Sequence, residues 1–168
     1  MLKKKYRVST LPLPIRPKGV VFFVVEEKSL DSGVVESVGI NEEGQLLVVC
    51  DGQEYEVGIK DRVFLTREDA QQYLEDPSGF PEDYGVVQDY GSLKLPYYPG
   101  TFFFFCDYDG FAHRWEIFEE YCTFVFFDED GSVRVGDVET EFTVMGKLVD
   151  PCFETYREAR AYIREQMR

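Results

Sequence analysis

The sequence predicts an α+β chain, mainly strand, in which a small unit of sheet closed by one helix occurs twice in tandem. The first observation is a repeat: Val63–Leu74 recurs 89 positions later as Cys152–Ile163, with Phe, Thr, Ala and Tyr in the same register. The second is a fainter echo, 81 positions apart, of Gly19–Glu26 in Gly100–Asp107. Two offsets of this kind describe one duplicated unit with about eight residues inserted in the second copy. The third is punctuation: Asp51-Gly52, Asp109-Gly110 and Asp130-Gly131 fall between short apolar runs, the hairpin signal.

Taken in order, residues 1–18 form a basic extended arm. They hold six bases and no acid, and Pro12, Pro14 and Pro17 bias their predecessors away from helix. The first unit, 19–76, places strands at Val20–Val25 and Gly33–Ile40, then at Leu46–Cys50 and Tyr55–Ile59 around Asp51-Gly52, and a short one at Val63–Leu65. Thr66 with Asp69 three residues on begins a helix running to about Glu75, whose inner face is Ala70, Tyr73 and Leu74. Pro77 and Gly79 stop it.

Residues 77–99 are a connector holding Phe80, Tyr84, Tyr90, Tyr97 and Tyr98, too aromatic for a free linker. It is expected to pack over the junction, with a short strand at Gly85–Gln88. The second unit, 100–168, repeats the plan with Phe102–Asp107, Phe111–Glu120, Thr123–Phe127, Ser132–Val135 and Glu141–Met145 as strands. Thr155 and Glu158 open its helix, with Ala159, Tyr162 and Ile163 inward. Short strands with tight hairpins and one terminal helix per copy suggest a small β-barrel or bent sheet, SH3-like in scale. The runs Phe22-Phe23 and Phe102–Phe105 lack polar alternation, so both faces of those strands should be covered. The cover is either the helix and the other unit, or a second chain in a homodimer.

The segment Val63-Phe64-Leu65-Thr66-Arg67-Glu68-Asp69-Ala70, after a sheet-rich stretch, resembles small β-barrel proteins of gut Firmicutes and their phages, which close with a V-F-x-T-[RK]-E-[ED]-A helix start. Leu65→Glu154 and Arg67→Tyr156 separate the second copy from that pattern. The resemblance implies a fold and a mobile-element flavour, and carries no site residues across.

Charge is the second strong feature. The chain has 32 acids against 18 bases, a formal net charge of −14. Removing the basic arm leaves 12 bases, so the acidity belongs to the body. Such a surface repels phosphate backbones, which excludes direct nucleic-acid binding by the body and suits a basic protein partner. Met1–Lys18 has no apolar segment of signal-peptide type and no spanning run follows, so a cytoplasmic protein with no membrane association is expected. Cys50, Cys106, Cys122 and Cys152 lack metal-ligand or redox spacing and are expected as reduced core residues.

His113 is the one histidine, and no nucleophile motif surrounds it or any cysteine. Asp128-Glu129-Asp130-Gly131 begins like a calcium loop, but Val133 stands where the loop glycine belongs. Neither catalytic residues, metal ligands nor a cofactor are therefore assigned. The expected activity is that of a non-enzymatic acidic interaction module, its sharpest form a phage or mobile-element inhibitor that mimics nucleic-acid charge. Its contact surface is expected around Trp115, Glu116, Glu119 and Glu120, with Tyr97, Tyr98 and Tyr108 nearby, aromatics among carboxylates being suited to Lys or Arg. The alternatives are a ligand or enzymatic site in the cleft between units, or an assembly subunit.

Overall fold

The computed structural model describes residues 11–88 and 90–168. Twelve strands and two α-helices lie in them: β1 (Val20–Val25), β2 (Ser29–Val34), β3 (Ser37–Asn41), β4 (Leu46–Cys50), β5 (Gln53–Glu56), β6 (Val63–Phe64), α1 (Arg67–Glu75), β7 (Thr101–Asp109), β8 (Arg114–Cys122), β9 (Phe124–Asp128), β10 (Val133–Gly136), β11 (Glu141–Met145), β12 (Cys152–Phe153) and α2 (Tyr156–Gln166). The expected strand at Gly85–Gln88 is only an isolated bridge between Gln45 and Val86.

Three sheets form, ordered β2-β1-β6, β12-β7-β8 and β11-β10-β9-β3-β4-β5. None closes into a barrel, because β3 and β9 pair with each other across the two halves instead of closing each half on itself. That antiparallel seam runs from Ser37 opposite Asp128 to Asn41 opposite Phe124, centred on Gly39 and Phe126. The six-stranded sheet is bent. Glu54 and Glu56 on β5 border the same trough as Phe124 of β9 and Asp137 just after β10, although β4 and β3 lie between them in the sheet.

Strand alternation sorts the side chains of this sheet. Val38, Ile40, Leu46, Val48, Val125, Phe127, Val133, Val135 and Phe142 point to one face and are buried in the main core. Against them lie Val21 and Phe23 of β1 and Phe103 and Phe105 of β7, so the two small sheets roof one large one. The other faces of β1 and β7 meet the helices. Val24 joins Phe64, Ala70, Tyr73 and Phe80 in a second cluster, and the Cys106 thiol approaches the Ala159 carbonyl at 3.6 Å. The Phe-rich strands are thus covered on both sides within one chain, except that Phe102 stays 57% exposed against Tyr121.

The order of pairings is the same in both halves. Phe22 opposite Phe64 corresponds to Phe104 opposite Phe153, and Val38 opposite Val48 to Val125 opposite Val135. The Phe23–Tyr55 ring contact at 5.0 Å corresponds to Phe105–Phe142 at 4.6 Å. Matching positions are therefore 82 apart in β1 and β7, not the 81 suggested by aligning glycines. The residue matching Gly100 (φ 87°) is Lys18 (φ 73°), a left-handed position taken by a lysine. The offset then grows by five in the β7–β8 hairpin and by two before β12.

Both helices start as predicted. The Thr66 hydroxyl accepts from the Asp69 amide at 3.1 Å, and Thr155 and Glu158 make a reciprocal capping box. The first start is further held by Tyr84, whose hydroxyl donates to Asp69 at 2.7 Å and accepts from the Leu65 amide at 2.9 Å.

Of the expected basic arm, residues 1–10 lie outside the described residues. Residues 11–18 are part of the core: Leu11, Leu13 and Ile15 are buried, because a proline-extended backbone turns alternate side chains to one side. Leu93-Lys94-Leu95-Pro96 enters β7 in the same way. Leu93 and Leu95 are buried, and Leu95 N–H donates to Leu93 C=O at 3.0 Å, as Leu13 does to Leu11 at 2.8 Å. The end of the connector thus has the same local geometry as residues 11–13.

Candidate protein interaction site

Pairing across β7 and β8 divides the residues expected to form one acidic patch. Trp115 opposes Tyr108 and Glu119 opposes Phe104, so these share the face that carries α2. Glu116 opposes Asp107 and Glu120 opposes Phe103, on the other face. The Trp115 ring stands edge-on to Tyr108 at 5.5 Å and to Tyr162 of α2 at 5.7 Å, so it packs the helix to the sheet. Glu116 accepts two bonds from Arg114, at 3.1 and 2.9 Å.

Tyr97 and Tyr98 belong to the interior. The Tyr97 hydroxyl donates to the Cys152 carbonyl at 3.1 Å while its ring meets Phe103 at 5.8 Å, and burial pushes its ionisation well above the usual phenol range. Tyr98 donates to the Leu93 carbonyl and accepts from the Leu95 amide at 3.3 Å, pinning the chain as it enters β7. Tyr108 is the one expected tyrosine with a largely free surface, beside the hairpin tip 110–113. There Asp109 accepts from the amides of Phe111 and Ala112, and Phe111 is fully exposed.

His113 sits at that tip in a left-handed conformation (φ 53°), exposed, while Cys106 and Cys122 are buried. All four thiols are free, and desolvation raises the Cys122 thiol to about 11. Among the described residues no group of three His, Cys, Asp or Glu side chains is placed to hold a metal ion, and no helix is long and apolar enough to cross a membrane.

Carboxylates do converge elsewhere, on the face of the six-stranded sheet turned away from the core. An open trough of about 420 Å³ is bordered by Glu42, Glu43, Glu54, Glu56, Asp61 and Asp137, with Lys60 the one basic residue lining it among the described residues. Lys60 is already paired with Glu56 at 3.0 Å. Leu47 and Phe124 line it, and next to Phe124 lies Phe126, whose ring lies over Gly39 under the Arg134 guanidinium. Arg134 is itself committed to Asp128 (2.8 and 2.9 Å) and Glu141 (2.7 Å). The field of the crowd is felt at Glu54: partial desolvation raises its pKa, Arg134 opposes this, and Asp61 and Glu141 raise it further.

Sequence reasoning missed the trough because its members come from both halves and meet only through the seam. The signal present was alternation: Glu54 and Glu56 flank Tyr55, so a strand with Tyr55 in the core must turn both carboxylates to the opposite face. No protein-family model, curated protein or solved structure matches this chain.

Proposed function

We propose that this protein is an acidic interaction module that receives a Lys- or Arg-rich segment of a protein partner in the trough across its six-stranded sheet. The observation that carries the reading is the trough's composition, six carboxylates to one already paired ammonium over an apolar floor. Charge steers the encounter, and contact with Leu47 and Phe124 supplies the desolvated part of the interface. A nucleic-acid-handling protein is the partner class such a charge pattern would imitate a phosphate backbone for, which gives the phage or mobile-element inhibitor its rationale. The same reading takes the two halves, with their matching pairings and leaders, as a duplicated unit whose copies pair through β3 and β9.

The test is capture from a host lysate on the tagged protein, washed at low and high salt, beside a variant carrying Glu54→Gln, Asp61→Asn and Asp137→Asn. A basic protein retained at low salt, shed at high salt and lost by the variant supports the reading. Retention that ignores both salt and the three substitutions refutes it.

A further inference from the structure

The two halves differ at one place that their common pairing makes easy to see. On β7, Phe105 faces Phe118 of β8 and Phe103 faces Glu120. At the matching positions of the first half, Phe23 faces Asp31 and Val21 faces Gly33. A large aromatic is thus replaced by a short carboxylate, and a glutamate by no side chain at all. A Cβ on Gly33 would come within 2.8 Å of the Phe23 ring and 3.5 Å of the Cys50 sulfur, so the glycine lets these two settle against β2.

The result is an open cleft of about 430 Å³ at the edge of the first half, on the other side of β4 and β5 from the trough. Its apolar wall is Phe23, Tyr55 and Cys50, the two rings edge to face at 5.0 Å. Its polar rim is Glu26, Asp31 and Asp51, and among the described residues no lysine or arginine lines it. None of the three carboxylates forms an ion pair among the described residues; Glu27, next to Glu26, takes Arg62 instead.

We infer that this cleft binds a single organic cation, a guanidinium or ammonium on an apolar stem, with the stem against Phe23 and Tyr55 and the head among Asp31, Asp51 and Glu26. Aromatic faces and carboxylates together select such a group: rings attract the cation and pack its stem, and carboxylates give it charge-assisted hydrogen bonds. An anion is repelled by the rim, and a neutral apolar ligand gains nothing from the three carboxylates beside it. The cation arrives either as a side chain of a partner protein or as a free small molecule. The inference stands apart from the trough and does not need it.

The experiment is a ¹H–¹⁵N NMR titration of the full chain with N-acetyl-arginine-N-methylamide, with n-butylguanidinium, and with the neutral isostere N-acetyl-citrulline-N-methylamide. Saturable shifts confined to the amides around Phe23, Asp31, Gly33 and Tyr55, with the citrulline compound at least about tenfold weaker, are expected. Tighter binding of the arginine amide than of butylguanidinium identifies a peptide-borne side chain, and equal binding a free cation. Asp31→Phe, which copies the second half, and Asp31→Asn should each weaken binding about tenfold or more; should the first fail to fold, the second decides. Equal shifts from the citrulline compound, no saturation with either cation, or undiminished binding by Asp31→Asn overturns the inference.

Discussion

Gly39 and Phe126 occupy the centre of the seam, and a single methyl group there tests how the halves are held. In Gly39→Ala the new Cβ would lie 2.5, 2.7 and 2.8 Å from three carbons of the Phe126 ring. Contacts that close are not tolerated, so the ring must leave the strand it covers. The ring is now 2% exposed and stacked under Arg134 at 5.0 Å. Exposing a buried phenylalanine costs about 1.5–3 kcal/mol, and losing a half-desolvated cation–π contact about 0.5–2 kcal/mol. The better backbone entropy of alanine returns roughly 0.5–1 kcal/mol. Gly39→Ala should therefore destabilise by about 2–3 kcal/mol in urea unfolding followed by tryptophan fluorescence and circular dichroism. Phe126→Ala alone should cost about 3 kcal/mol or more. With the ring gone, Gly39→Ala has nothing to strike, so the double variant should match Phe126→Ala within about 0.5 kcal/mol or exceed it. An additive double variant, or a Gly39→Ala cost below about 0.5 kcal/mol, refutes the ring-over-glycine account.

Two other predictions follow from the same geometry. Because the Glu54 pKa is raised on folding, its contribution favours the native state below the ordinary glutamate value near 4.5 and is lost as pH rises through the higher folded value. Glu54→Gln should thus raise the melting temperature at pH 7 and leave it unchanged near pH 3.5; a loss at pH 7 would contradict the crowding of the trough. Leu11→Ala and Leu95→Ala should each destabilise by about 2–5 kcal/mol in chemical unfolding, as buried leucines do, whereas a Leu11 on a loose arm would cost almost nothing.

What the sequence made legible is what local chemistry writes. Thr66 and Thr155 announce their helices because a cap and an inward face fall within one turn of each other. The Asp-Gly turn at 51–52 lies where its hairpin bends, with Asp51 and Gly52 both left-handed (φ 50° and 75°). The grouping of Trp115 with Glu116, Glu119 and Glu120 failed on a rule already in hand, since a strand puts neighbours on opposite faces. Aligning Gly19 with Gly100 gives an offset of 81, whereas the backbone puts Lys18 and Gly100 in the same left-handed conformation. Barrel closure failed for a deeper reason: nothing in Ser37–Asn41 says that its free edge belongs to a strand of the other half. The paired Leu-x-Leu-Pro leaders were readable, but three prolines and the surrounding bases disguised buried core as a solvated arm.

The seam also sets a schedule for synthesis. Ser37 finds its partner Asp128 only 91 residues later, which at about 5–20 residues per second leaves one edge of β3 open for roughly 5–20 s on the ribosome. An unpaired apolar edge is a template for another chain. Since every chain carries the same β9, one from a neighbouring polysome chain would fit that edge in the same register as the chain's own. Concentrated expression should therefore yield strand-exchanged dimers beside the monomer, with the ratio set by how fast each chain is completed.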